Sequence, residues 1–169
     1  MQSSEQLVRL LYDELHRIAR REHRRAGSPM TLQTTALISE AYLKIRRRED
    51  WDSDRHFLAC ASTAMRHILI DAARARIAGK RAGGRGDFTR ALACEAAEIA
   101  DDDEVANLGD AMRRLAELEP RLAQVVDCRF FAGLNERETA NVLGVTDRTV
   151  RRLWTQARAI LHSGLIAAE

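Results

Sequence analysis

The sequence predicts an all-α protein, and three observations carry that expectation. Apolar residues make up 46% of the chain but aromatics only 5%, so its cores must be built from Leu, Ile, Val and Ala, which suit helix interfaces. Pro occurs only twice in 169 residues, which leaves long stretches without a helix breaker. Apolar residues recur at the three- and four-residue intervals of an amphipathic helix rather than at the alternation of a strand.

Charge divides the chain into three segments with different electrostatic partners. Residues 1–90 hold 18 Lys and Arg against 11 Asp and Glu, 91–119 hold 2 against 9, and 120–169 hold 7 against 5. No apolar run approaches the roughly 18 residues of a membrane span. The N-terminal MQSSEQLVRLLYDEL is amphipathic with acidic residues inside it, unlike a cleavable signal. A cytoplasmic protein with no membrane partner is therefore expected. Cys60, Cys94 and Cys128 are odd in number and widely separated, which fits free thiols in a reducing compartment. No Cys/His cluster has zinc spacing, so neither a metal nor another cofactor is expected. A phosphate loop, a nucleophile elbow and paired carboxylates are all missing from the pattern. No catalytic residue is assigned, and the chain is not expected to be an enzyme.

The first helix is expected over residues 4–25, with Leu7, Leu11, Leu15 and Ile18 as one buried stripe. Gly27, Ser28 and Pro29 stop it. A second helix is expected over 31–48, with Leu37, Ala41 and Ile45 on one face and Ile38 and Tyr42 beside them. Ser53 or Asp54 caps a third, reaching about residue 78, with Phe57, Ala61, Met65, Ile68 and Ala72 inward. These helices with short connections make a three-helix bundle. Late in the third helix lie Arg66, His67, Arg74 and Arg76, followed by Lys80, Arg81 and Arg85, a patch able to hold a nucleic-acid backbone. Aromatic residues for base stacking are few there, Phe57 and Trp51 being the nearest.

GGRGDFTRALACEAAEIADDDE shows only weak apolar periodicity and reads as an acidic linker over 83–106. The final module is expected over 107–169. Leu108, Met112 and Leu115 mark its first helix, and Pro120 opens the second. Leu122, Val125, Val126 and Phe130 give that second helix its core face, and Gly133 ends it.

LNERETANVLGVTDRTVRRLWTQARAIL, residues 134–161, then reads as two helices joined by a tight turn. Asn135 and Glu138 form a capping box, Gly144 enters the left-handed conformation, Val145 plugs the corner and Thr146 caps the second helix. Val150, Leu153 and Ala157 face inward. The opposite face shows Arg148, Thr149, Arg151, Arg152 and Thr155. Guanidinium and hydroxyl groups in the first turns of such a helix suit a DNA major groove, where Arg reads guanine and Thr methyls meet thymine.

Together these features resemble the extracytoplasmic-function (ECF) group of bacterial sigma factors, the smallest members of the sigma-70 family, over nearly the whole chain. SEAYLKIRR at 39–47 is similar to the family's helix that docks on the polymerase clamp, which implies clamp contacts for Glu40, Tyr42 and Lys44. FLACASTAMRHILIDAARAR at 57–76 is similar to its promoter-melting and minus-ten-reading region. The resemblance thus implies that residues 1–82 bind core polymerase, with Arg66, His67, Arg74, Arg76 and Lys80 holding the melted strand. Residues 107–169 are similar to the domain that reads the minus-thirty-five element, which implies DNA contacts for Thr146, Arg148, Thr149, Arg151 and Arg152. The acidic linker would thread toward the RNA exit channel. Core RNA polymerase and promoter DNA are the implied partners.

Two departures from the family pattern bear on regulation and specificity. Acidic residues commonly precede the clamp helix in the family, whereas here the matching stretch is Gln33-Thr34-Thr35-Ala36. A phosphate on Thr35 or Thr34 would restore roughly −1.5 to −2 charges. Activation by a Ser/Thr kinase, rather than release from a membrane anti-sigma factor, is the expectation that follows. His67 stands where relatives often carry Asn, while Ile70 and Asp71 keep the usual pattern. The competing reading is an autonomous helix-turn-helix regulator that binds a palindrome without polymerase. A third is an interaction protein whose basic faces bind acidic partners.

Overall fold

The computed structural model describes residues 3–25, 32–48, 51–82 and 102–166. Among these, the regular elements are all helical, as expected: α1 (Ser4–Leu10), α2 (Tyr12–Arg25), α3 (Leu32–Ile45), α4 (Asp54–Ala82), α5 (Asp102–Leu118), α6 (Pro120–Val126), a π-helical turn (Asp127–Phe131), α7 (Glu136–Leu143) and α8 (Asp147–Ile166). Residues 83–101, most of the expected linker, lie outside the described residues, as does the side chain of Lys80.

The N-terminal half builds one core. Ser3 and Gln6 form a reciprocal capping box that starts α1. The single first helix expected over 4–25 is instead bent at Leu11, whose φ of −105° and ψ of 17° separate α1 from α2. Its amide still reaches the Leu7 carbonyl at 2.9 Å, so the chain bends without breaking. The start of α1 is tied down elsewhere: the Ser4 hydroxyl donates to the Arg48 carbonyl (2.7 Å) and accepts from Trp51 Nε1 (3.0 Å). Leu7, Leu15 and Ile18 then bury against Leu37, Ile38 and Ala41 of α3 and Phe57, Leu58, Ala61 and Met65 of α4. Ser53 is the cap of α4, its hydroxyl accepting from the His56 amide at 3.1 Å. Phe57 is fully buried beneath Trp51, so it is no stacking platform for a base.

A second core joins Met112 and Leu115 of α5, Leu122, Val125 and Val126 of α6, Phe131, Ala140 of α7, and Val150, Leu153 and Ala157 of α8. Two boundaries differ from expectation. The module opens at Asp102 rather than Asn107, because Asp102, Asp103 and Glu104 form the first turn of α5. Carboxylates there face the positive end of the helix dipole, so an acidic run that reads as tether is a helix start. Val105 completes the turn by burying against Ile70 and Ala73 of α4.

The second difference is Phe130, expected in the core but 42% exposed, while Phe131 is 1% exposed. The π-helical turn explains it. The Ala132 amide bonds the Asp127 carbonyl five residues back, at 2.8 Å, and the added residue rotates the following side chains by one position.

Gly109 sits inside α5, where glycine costs about 1 kcal/mol relative to alanine. A Cβ there would lie 2.6 Å from Ile70 Cγ2, so the glycine lets α5 approach α4 closely. The rotation at the π turn makes a direct prediction for urea unfolding. Phe131→Ala should cost ~3–5 kcal/mol, as for a buried aromatic, and Phe130→Ala less than ~1 kcal/mol. Equal losses would place both rings alike and contradict the register.

Candidate nucleic-acid and polymerase interface

The geometry of residues 135–163 is that of a helix-turn-helix. Asn135 Oδ1 accepts from the Glu138 amide, and Glu138 Oε2 accepts from the Asn135 amide, both at 2.9 Å. Gly144 takes φ 63° and ψ 37°, a left-handed cap that a Cβ would strain. The Val145 amide bonds the Ala140 carbonyl at 3.0 Å, turning the chain into α8. Thr146 Oγ1 accepts from the Thr149 amide (3.3 Å) and lies 3.0 Å from Thr149 Oγ1, so the two hydroxyls are engaged with each other. Val150 and Ala157 are fully buried, which fixes the rotation of α8 about its axis.

That rotation leaves Arg148, Arg151 and Arg152 exposed together on the first turns. Arg151 lies 3.7 Å from Glu136, a surface pair of little energetic weight. The Thr155 hydroxyl donates back to the Arg151 carbonyl (3.0 Å). Behind this face, Arg129 and Arg158 flank the Trp154 ring at 5.7 and 6.0 Å, a cation–π arrangement that a periodicity argument does not reach.

On α3, Glu40 and Tyr42 are half-buried and Lys44 is exposed, 3.8 Å from Asp71 of α4. Leu43 beside them is an exposed apolar side chain that the sequence reading did not single out, because a lone surface leucine carries no motif. Thr34 is 1% exposed, whereas Thr35 faces solvent, its carbonyl accepting from the Ser39 hydroxyl at 2.9 Å.

The basic patch of α4 differs most from the sequence picture. Among its expected residues, His67 is exposed, but the arginines point at carboxylates. Arg66 is 6% exposed; its Nη2 lies 2.7 Å from Asp127 Oδ1, its Nε donates to the same oxygen at 3.0 Å, and Phe131 underlies it at 4.9 Å. Arg74 meets Asp110 at 2.7 Å, and Arg113 shares that oxygen at 3.1 Å. Arg76 meets Asp102 at 2.7 Å. Three residues expected to face DNA therefore face α5 and the π turn in this arrangement. Arg55 adds a fourth bridge, donating to Glu14 (2.9 Å) and pairing with Glu138 of α7 (3.1 Å).

Burial sets the titration of this seam. Desolvation raises the Asp127 carboxyl above the usual 3.8, although Arg66 and a bond from Thr63 pull the other way. Burial pushes Cys128 up to about 12, with the Asp127 charge adding to it, so its thiol is inert at neutral pH. Partial burial, then the neighbouring cations Arg66 and Lys44, lower His67 below 6.5.

Among the described residues the regular elements are helical, and α7 and α8 form a helix-turn-helix with an exposed cationic face, the class of motif found in DNA-binding proteins. A family model, that of the ECF sigma factors, matches residues 1–166. The chain belongs to that family. It acts in transcription initiation, with core RNA polymerase and promoter DNA as the partners that family membership implies. No curated protein matches the chain, and no solved structure does. Among the described residues, no helix is long and apolar enough to cross a membrane.

The lowered His67 value has a defined consequence. Between that value and 6.5 the unfolded chain binds a proton that the folded chain does not, so His67 contributes stability that is lost as pH falls through 6.5. Ring-proton NMR should place its midpoint below 6.5, and His67→Gln should flatten the stability profile across that window. A midpoint at or above 6.5 would contradict the assigned surroundings.

Proposed function

We propose that this ECF sigma factor directs core polymerase to a promoter through two separately docked modules. Residues 1–82 would bind the clamp through Glu40, Tyr42 and Lys44 of α3, and hold the melted minus-ten strand on α4. The module from Asp102 onward would read the minus-thirty-five element with Thr146, Arg148, Thr149, Arg151 and Arg152. The observation that carries this reading is the cationic face of α8, held outward by the burial of Val150, Leu153 and Ala157. Guanidinium groups on the first turns of a second helix reach base edges when that helix lies in the major groove. The chain with core enzyme should make a specific transcript. Arg152→Ala should weaken recognition of the upstream element by ~1–3 kcal/mol, the range for one bidentate base contact. Tight binding to a palindromic duplex without polymerase, and no transcript with it, would favour the autonomous regulator instead.

Regulation by phosphorylation belongs to the same reading. Thr35 is supported over Thr34 because only Thr35 is exposed, and it precedes the clamp helix in a stretch without carboxylates. A phosphate there would supply negative charge toward a basic clamp. Thr35→Glu should bind core polymerase more tightly than wild type, and Thr35→Ala should lose any response to kinase treatment. Indistinguishable binding of the three chains before and after kinase treatment would remove the switch.

A further inference from the structure

A cavity of about 590 Å³ lies where α3, α4, α6, the π turn and α7 meet. That volume falls within the roughly 300–1,000 Å³ of small-molecule sites. Its floor is apolar: Ala59 and Ala64 of α4 and Cys128 of the π turn are buried, and Val142 and Leu143 of α7 stand beside them half-buried. Cys60 and Cys128 add no charge, because burial raises both thiols above their usual 9.0. Among the described residues Asp127 is the one carboxylate in the lining. Its Oδ1 is already engaged by Arg66, with Nη2 at 2.7 Å and Nε at 3.0 Å.

The mouth has the opposite character. Lys44 of α3, His67 of α4 and Gln124 of α6 are exposed there, and each can donate a hydrogen bond. The Lys44 ammonium has a long, exposed contact with Asp71, at 3.8 Å, which holds it only weakly. Around His67 the charges are uneven: Arg66, Lys44 and Arg74 act on it against Asp71. The rim therefore sets donors and a positive potential above an uncharged floor. We propose that this cavity binds a small organic monocarboxylate, its head held by Lys44, His67 and Gln124 and its apolar body laid against Ala59, Ala64 and Leu143.

Three considerations select that class. A cationic ligand is repelled by the same rim, and an uncharged apolar one covers its donors without supplying an acceptor. With His67 held neutral by a value lowered below 6.5, Lys44 is the one charged donor at the rim among the described residues, which matches a monoanion rather than a phosphate dianion. Head and body then act separately: the donors select the carboxylate, and each methylene buried on the floor adds affinity until the cavity is filled. The walls belong to five elements of the folded chain, so a ligand that binds here and not to the unfolded chain stabilises the fold by mass action.

The test titrates the full chain with butanoate, hexanoate and octanoate below micelle formation, read by calorimetry and by ring-proton NMR of His67, its signals assigned with His67→Gln. Octylamine and octanol carry the same body as octanoate with the opposite charge or none. Octanoate should bind about tenfold more tightly than either, or better, move the His67 signals and raise the melting temperature. Affinity should rise along the acid series as more methylene is buried. Lys44→Gln should weaken octanoate about tenfold and leave octanol unchanged, as for loss of one charge-assisted contact. Val142→Trp fills the cavity from its half-buried wall and should abolish binding. If circular dichroism shows that this chain unfolds, Lys44→Gln and the two control ligands carry the test. Equal affinity for octanoate, octanol and octylamine overturns the site. So does octanoate binding that ignores Lys44→Gln or leaves the His67 signals unmoved, and so does the absence of saturable binding at millimolar acid.

Discussion

A guanidinium taken out of water must be given an anion, and the seam between the two cores is arranged around that constraint at Arg66. Asp127 supplies the charge and Phe131 the ring face beneath it. Both come from one π-helical turn, so a single irregularity in the backbone creates the whole receptor. An ordinary α-helix through these residues would turn Phe130 inward and leave Arg66 without its aromatic floor. The remaining bridges, from Arg74 and Arg76 to α5, extend the same logic along α4, with small side chains between the charges.

What could be read from the sequence is what depends on near neighbours. The Asn135–Glu138 box, the left-handed Gly144 and the Thr146 cap are each decided within four residues, and all three take the expected geometry. Val150 and Ala157 reach the core because the period of one helix places them there. The π turn escaped the reading because an i→i+5 bond is a backbone choice stabilised by tertiary contacts, and no local residue pattern demands it. The fate of Arg66 escaped for a related reason: its partner lies 61 residues away. Charge alone could not tell a groove-lining arginine from one already satisfied. The acidic run before Val105 misled in the same way, since carboxylates suit a solvated tether and a helix start equally.

The proposed function of this ECF sigma factor draws on two basic regions, the exposed face of α8 and the arginines of α4. The two surfaces stand differently in this structure. The face of α8 is open to solvent, whereas three arginines of α4 are paired with carboxylates.

The central claim is the proposed one, that this chain, seated on core polymerase, grips one promoter through two separate helical modules. The most direct measurement is the distance between spin labels at Arg17 of α2 and Gln156 of α8, in a chain whose native thiols are replaced. In the free protein the account requires one narrow distance set by the docked seam, which lengthens on binding core polymerase and promoter DNA. A broad, long distribution in the free protein, or a narrow one unchanged in the complex, would contradict it.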